Sequence, residues 1–163
     1  MIRKATYADL PDLMEVFRRA KEIMRKSGNL HQWNDSYPSE DIIRKDIDGG
    51  NSVVLCEEGR IIATMAFIPG PDPTYAEIYG GNWQSDIPYH VIHRIAAMES
   101  GHDVASSFFD WAFERTGSIR IDTHEDNVIM HHILAKYGFT QCGRIFLANG
   151  DPREAYQMNR CHE

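Results

Sequence analysis

Disulfide frameworks, membrane-spanning runs and polybasic stretches are all missing from this sequence. Its 163 residues include three cysteines, Cys56, Cys142 and Cys161. They form no C-x-x-C pair, and an odd number closes no framework of bridges. No apolar run extends beyond a few residues, far short of the roughly 20 that a transmembrane helix needs. The opening MIRKATYADL runs directly into charged and polar residues, so an apolar leader is not expected. Reduced thiols with no membrane segment are the pattern of a cytoplasmic protein. Lys and Arg number 17 against 24 Asp and Glu, a formal net charge of −7. No Lys/Arg run is interleaved with aromatics, which argues against a nucleic-acid partner. Repeats, low-complexity tracts and linkers are also lacking. With 42% hydrophobic residues, the chain is read as one domain over 1–163 with one sizeable core.

What is present is a regular succession of elements. Residues 3–6 read as a strand. Asp9 stands as the N-cap of a helix with Pro11 in its first turn. Leu10, Leu13, Val16, Phe17 and Ala20 follow the helical period, and Gly28 stops it. Residues 29–38 form a loop carrying Trp33 and Tyr37, and Ser39 caps a shorter helix. SVVLC and IIATMAF flank Glu57-Glu58-Gly59-Arg60 as a hairpin. Residues 68–74 hold three of the seven prolines and read as irregular loop. Gly80-Gly81 break any regular element in residues 75–83. Residues 89–96 are a β-rich run placed as a central strand. After it come helix SSFFDWAFE, strand SIRIDTHE, helix NVIMHHILAKYGF and strand QCGRIFL. Asn149-Gly150 then marks a tight hairpin into REAYQMN. The fold class is α+β (mixed α/β) rather than a doubly wound sheet.

The order and spacing from His93 to Phe139 resemble the core of the GNAT superfamily of acyl-CoA-dependent N-acyltransferases. The resemblance extends from RKATYADLPDL to EAYQM. It implies a mostly antiparallel, splayed central sheet flanked by about four helices, with acetyl-CoA as cosubstrate. Family members carry Arg/Gln-x-x-Gly-x-Gly/Ala between the fourth strand and third helix, where backbone amides embrace the CoA diphosphate. The matching segment is Ser100-Gly101-His102-Asp103-Val104-Ala105, with Ser106 beyond it. Ala105 fits the last position, while Ser100 replaces Arg/Gln and Asp103 replaces glycine. A carboxylate about 4 Å from a phosphate costs roughly 1 kcal/mol in water and about 4 at surface-like dielectric. Alternatively, Asp103 caps the following helix.

The resemblance further places the acyl carbonyl and pantetheine arm against the backbone of Ile95, Ala96 and Ala97, and a cofactor contact at Asn127, which can equally cap its helix. The family's tyrosine, the proton donor to the departing thiolate, falls at Leu134. Tyr137 reads as core. Direct attack by a primary amine of a small molecule or amino-acid-like acceptor needs a base. His93, just before the splay, and His124, at the end of the next strand, are the imidazole candidates, with Asp122 beside them and Glu77 as a carboxylate for a water chain. Each strand histidine can instead be a hydrogen-bonded structural residue. His131-His132 lack the i, i+4 spacing of paired metal ligands, and no metal is expected. Trp33, Tyr37, Tyr79 and Trp83 can wall an acceptor pocket, cover the core or join a homodimer contact. The rival function is a GNAT-fold binding module that has lost CoA binding.

Overall fold

Alternation along the second strand decides how the sheet is covered. Strand β2 (Ser52–Glu57) turns Val53 and Leu55 to one face and Val54 to the other, and all three are buried. A strand apolar on both faces needs helices on both sides. The Val53 face packs on Phe108, Phe109 and Ala112 of α3 (Val104–Phe113), with Leu134 of α4 (Val128–Tyr137). The Val54 face packs on Leu13, Val16 and Phe17 of α1 (Leu10–Lys26), with Ile43 of α2 (Glu40–Asp48).

The computed structural model describes residues 1–99 and 103–160. Among them, β1 (Ile2–Lys4), β2, β3 (Arg60–Pro69), β4 (His90–Ala97), β5 (Ser118–Thr123), β6 (Thr140–Phe146) and β7 (Pro152–Asn159) form a seven-stranded sheet. Their order is β1-β2-β3-β4-β5-β7-β6. All neighbours are antiparallel except β4 and β5. This is the mixed α/β class that the pattern predicts, with the mostly antiparallel sheet and four helices that the resemblance implies. No helix among the described residues is long and apolar enough to cross a membrane.

Two local features open the centre of the sheet. The parallel pair β4/β5 joins only at His90↔Ile119 and Val91↔Arg120. Beyond Val91 the strands part, and among the described residues that edge of β4 has no ladder. Opposite, the register against β3 steps from Ala66↔His93 to Thr64↔Ala96, so β4 carries an extra residue. That bulge coincides with Arg94 at φ 53°, a left-handed conformation uncommon for a non-glycine residue. A bulge bends its strand and increases twist, and this one sits where β4 leaves β5. The guanidinium of Arg94 donates to both carboxylate oxygens of Asp46 (2.9 and 2.7 Å) and to the Tyr37 hydroxyl (3.1 Å), anchoring the bulge to α2 and the 29–38 loop.

Several local expectations are corrected. Asp9 precedes α1 without capping it; its carboxylate instead accepts from Arg3 (2.8 and 2.9 Å) and from the Thr6 amide (2.8 Å). Asp103 likewise makes no side-chain cap bond to α3. Ser39 does cap α2, accepting from the Ile42 amide at 3.3 Å. The first strand ends at Lys4 rather than residue 6. Residues 75–83 meet β6 through a bridge between Tyr79 and Arg144. Glycine is required there, since a Cβ at Gly81 would lie 2.0 Å from the Cys142 carbonyl oxygen.

Candidate active site

The parted strands open onto two cavities. One, of about 450 Å³, is walled by the 29–38 loop, the proline-rich loop before β4, the ends of β4 and β5, and the β6–β7 hairpin. The other, about 160 Å³ and largely apolar, runs between β4 and the start of α3 and α4. Met24, Ile95, Asn127 and Met130 line both, so the cavities meet at the splay.

In the larger cavity, His93 is the centre of a short polar chain. Asp72 precedes a 3-10 turn, Pro73–Tyr75, and accepts from the Thr74 amide through Oδ1 at 2.9 Å. Its Oδ2 lies 2.8 Å from His93 Nε2. Burial pushes the Asp72 carboxyl up, but hydrogen bonds from His93 and Thr74 outweigh it and hold it down at about 2. Asp72 is therefore ionised and can only accept, so His93 Nε2 carries the hydrogen. In the neutral ring this leaves Nδ1 as the basic nitrogen. Nδ1 lies 4.0 Å from Asp122 Oδ2, which accepts from the Tyr75 hydroxyl at 2.6 Å. Burial, followed by the charge of Asp122, holds the Tyr75 phenol well above its ordinary value, so it remains a donor.

Gln32 ties the 29–38 loop to the site. Its Oε1 accepts from Asn29 Nδ2 (3.0 Å), Asn127 Nδ2 (3.0 Å) and the Thr123 hydroxyl (3.2 Å). Asn127 also caps α4, accepting from the Met130 amide at 3.1 Å. The cap reading of Asn127 therefore holds, and its amino group is engaged by Gln32.

The structure brings His93 and Asp122 together and leaves His124 apart. His124 Nδ1 accepts from the Asp126 amide at 3.0 Å, and the residue does not line the cavity. Burial first, and the Arg153 charge second, lower its pKa. Glu77 is exposed and accepts from the Tyr79 hydroxyl at 2.7 Å, away from the site. Tyr137 stacks among Phe109, Phe113 and Phe139 and donates to Asp110 at 2.6 Å. Leu134 is fully buried. Ile95, Ala96, Ala97, Val104, Ala105 and Asn127 line the narrower cavity, whereas Asp103 and Ser106 do not. Ser100, Gly101 and His102 lie outside the described residues. Trp33 and Tyr37 wall the larger cavity, while Trp83 stacks on Arg120 and the exposed Tyr79 on Phe146. Among the described residues no group of three or more His, Cys, Asp or Glu is placed to hold a metal ion.

Asp72, Tyr75, Gln32 and Arg153 were not singled out by sequence. The proline density that marks 68–74 as loop carries no sign of what the loop touches. Gln32 and Arg153 meet across the fold, the Arg153 guanidinium donating to the Gln32 carbonyl at 3.0 Å.

A GNAT-family acetyltransferase from Streptococcus agalactiae is 34% identical to the chain, with a TM-score of 0.90, over 99% of this chain and 96% of that one. The chain belongs to the GNAT family. A GNAT-family acetyltransferase from Listeria monocytogenes shares the fold at 20% identity and a TM-score of 0.72, covering 98% and 94% of the two chains. The ribosomal-protein-alanine N-acetyltransferase of Brucella melitensis does so at 18% identity and 0.65, covering 98% and 99%. No family model matches the sequence, and no curated protein matches it. In this GNAT protein the narrow cavity is lined by Ile95, Ala96 and Ala97, the residues to which the resemblance assigns the pantetheine arm.

Proposed function

We propose that this GNAT protein transfers an acetyl group from acetyl-CoA to a primary amine of a small acceptor, by direct attack and without an acyl-enzyme. The observation that carries the reading is the meeting of the two cavities at Ile95 and Asn127, with His93 lining the acceptor side.

The residues present fit a pantetheine arm. Among the described residues the edge of β4 beyond Val91 has no strand partner on the β5 side, so its amides and carbonyls can pair with an amide-bearing chain. Ala96, Ala97 and Ala105 keep the groove narrow and apolar. Because Asp103 does not cap α3, the first-turn amides of that helix keep no side-chain acceptor among the described residues, which suits an anion. Acetyl-CoA supplies an activated acyl carbon and a thiolate leaving group.

The chain's own part is to take a proton and hold charge. As the acceptor nitrogen bonds to the acyl carbon, its proton passes to His93 Nδ1, while Nε2–H stays on Asp72. The resulting imidazolium lies between two carboxylates, Asp72 at 2.8 Å and Asp122 at 4.0 Å. Electrostatic support of this kind strengthens with burial. Leu134 offers no proton to sulfur, so the thiolate departs as the anion.

His93→Gln tests this. With His93 as base, kcat for amine acetylation, followed by thiol release, falls about 10²–10⁴-fold, while acetyl-CoA affinity is retained. Unchanged kcat in the variant would remove His93 from the chemistry.

A further inference from the structure

Resting on the transferase reading and extending it, we propose that the acceptor carries a carboxylate and that Arg153 binds it. Arg153 opens β7, is 5% exposed and lines the acceptor cavity. Its guanidinium donates to two main-chain carbonyls, Pro152 at 2.8 Å and Gln32 at 3.0 Å. These bonds orient the group but leave its charge unopposed.

The half-buried Arg94 and the buried Arg120 are accounted for differently. Arg94 is paired with Asp46 at 2.7 Å. Arg120 lies between the Trp83 and Tyr89 rings, 4.1 and 4.0 Å from their centroids, and donates to the Ser85 carbonyl at 2.8 Å. Arg153 has neither a carboxylate nor a ring partner among the described residues. The nearest acidic residue in sequence within the cavity wall, Asp151, is exposed and accepts from Asn149 instead, at 3.2 Å. A buried cation without an anion is unfavourable, and a ligand that supplies the anion relieves it.

Position gives the second half of the argument. Asp122 pairs with Ala155 across β5 and β7, so Arg153 is its diagonal neighbour on the same face, about 7–8 Å away between backbones. The cavity thus has an anionic end at Asp72 and Asp122 and a cationic end at Arg153. The effect of the Arg153 charge on His124 has the same sign. A small zwitterion fits that polarity, with its amine toward His93 and its carboxylate on the guanidinium, whose planar fork suits a carboxylate. A polyamine, cationic at both ends, does not.

The test compares amino acids with their carboxamides and with the corresponding decarboxylated amines. Under saturating acetyl-CoA, the acids should show about 10- to 100-fold higher kcat/KM, the range expected for a hydrogen bond to a charged group. Arg153→Gln should abolish that preference, and Arg153→Lys should keep part of it. Separately, calorimetry with an N-acetyl amino acid and its amide should show the acid binding more tightly to the wild type. Equal use of acid and amide, or equal binding of the two products, would overturn the assignment. If no amine is acetylated at all, the transferase reading fails and the product titration still decides Arg153. If Arg153→Gln does not fold, the wild-type comparisons carry the test.

Discussion

Asp72→Asn separates the charge of the His93–Asp72 pair from its shape. In the wild type, Oδ1 accepts from the Thr74 amide and hydroxyl and Oδ2 meets His93. An asparagine side chain keeps one oxygen and must turn its amino group toward the other partner. Burial opposes ionisation of Asp72, but the His93 and Thr74 bonds win and bring its carboxyl from 3.8 to about 2. Since the folded value lies below the unfolded one, the stabilisation is complete above roughly pH 5 and is lost as pH falls toward about 2. At about 1.4 kcal/mol per pKa unit, the lowering amounts to about 2 kcal/mol. For a domain of this length that is about 4–8 °C in Tm. Urea titrations and thermal melts of both proteins near pH 7, 5 and 3 measure it. The variant should be less stable at neutral pH, with the gap closing toward pH 3. A gap that is absent at neutral pH, or constant across the series, would refute the reasoning.

Three further outcomes follow from named contacts. Asp46→Ala strands Arg94, whose side chain is 12% exposed, and should destabilise the protein by about 3–5 kcal/mol in urea. A loss below about 1 kcal/mol would show that the bulge does not depend on that pair. Gly81→Ala drives a Cβ to 2.0 Å from the Cys142 carbonyl oxygen; the strain should cost about 1–3 kcal/mol by thermal melt, and a neutral result would mean that the 75–83 segment yields freely. Asp103→Gly removes an exposed carboxylate that caps nothing, and should tighten acetyl-CoA binding roughly fivefold by calorimetry. An unchanged Kd would show that the carboxylate lies too far from the diphosphate to matter.

The sheet and helices were legible because their signals are local. Periodicity located α1, the Ser39 hydroxyl and Asn127 amide marked the starts of α2 and α4, and the strand–helix–strand–helix run from His93 to Phe139 carried the family likeness. The Asp9 cap, and the cap alternative for Asp103, fail for one reason: a carboxylate ahead of a helix looks like a cap in sequence. Asp9 accepts from Arg3 instead, a partner drawn from the neighbouring strand. The site was legible only in its strand half. His93 and Asp122 stand on β4 and β5, whereas Asp72 and Gln32 arrive on loops whose course depends on tertiary contacts. Arg153 looks like any strand arginine until the 29–38 loop closes over it. His124 and His93 are indistinguishable by residue type, and only the turn into α4 diverts His124 to the Asp126 amide.

Calorimetric titration of acetyl-CoA into the wild type and into Ala97→Trp tests most directly whether the parted β4 edge receives the acyl donor. Ala97 lines the narrow cavity, and an indole there fills it. The wild type should bind one equivalent and gain about 2.7 kcal/mol of stability at a hundredfold excess over Kd, and Ala97→Trp should show neither effect while remaining folded. Absence of heat and of any thermal shift with the wild type at millimolar acetyl-CoA, or equal binding by the two proteins, would contradict the account.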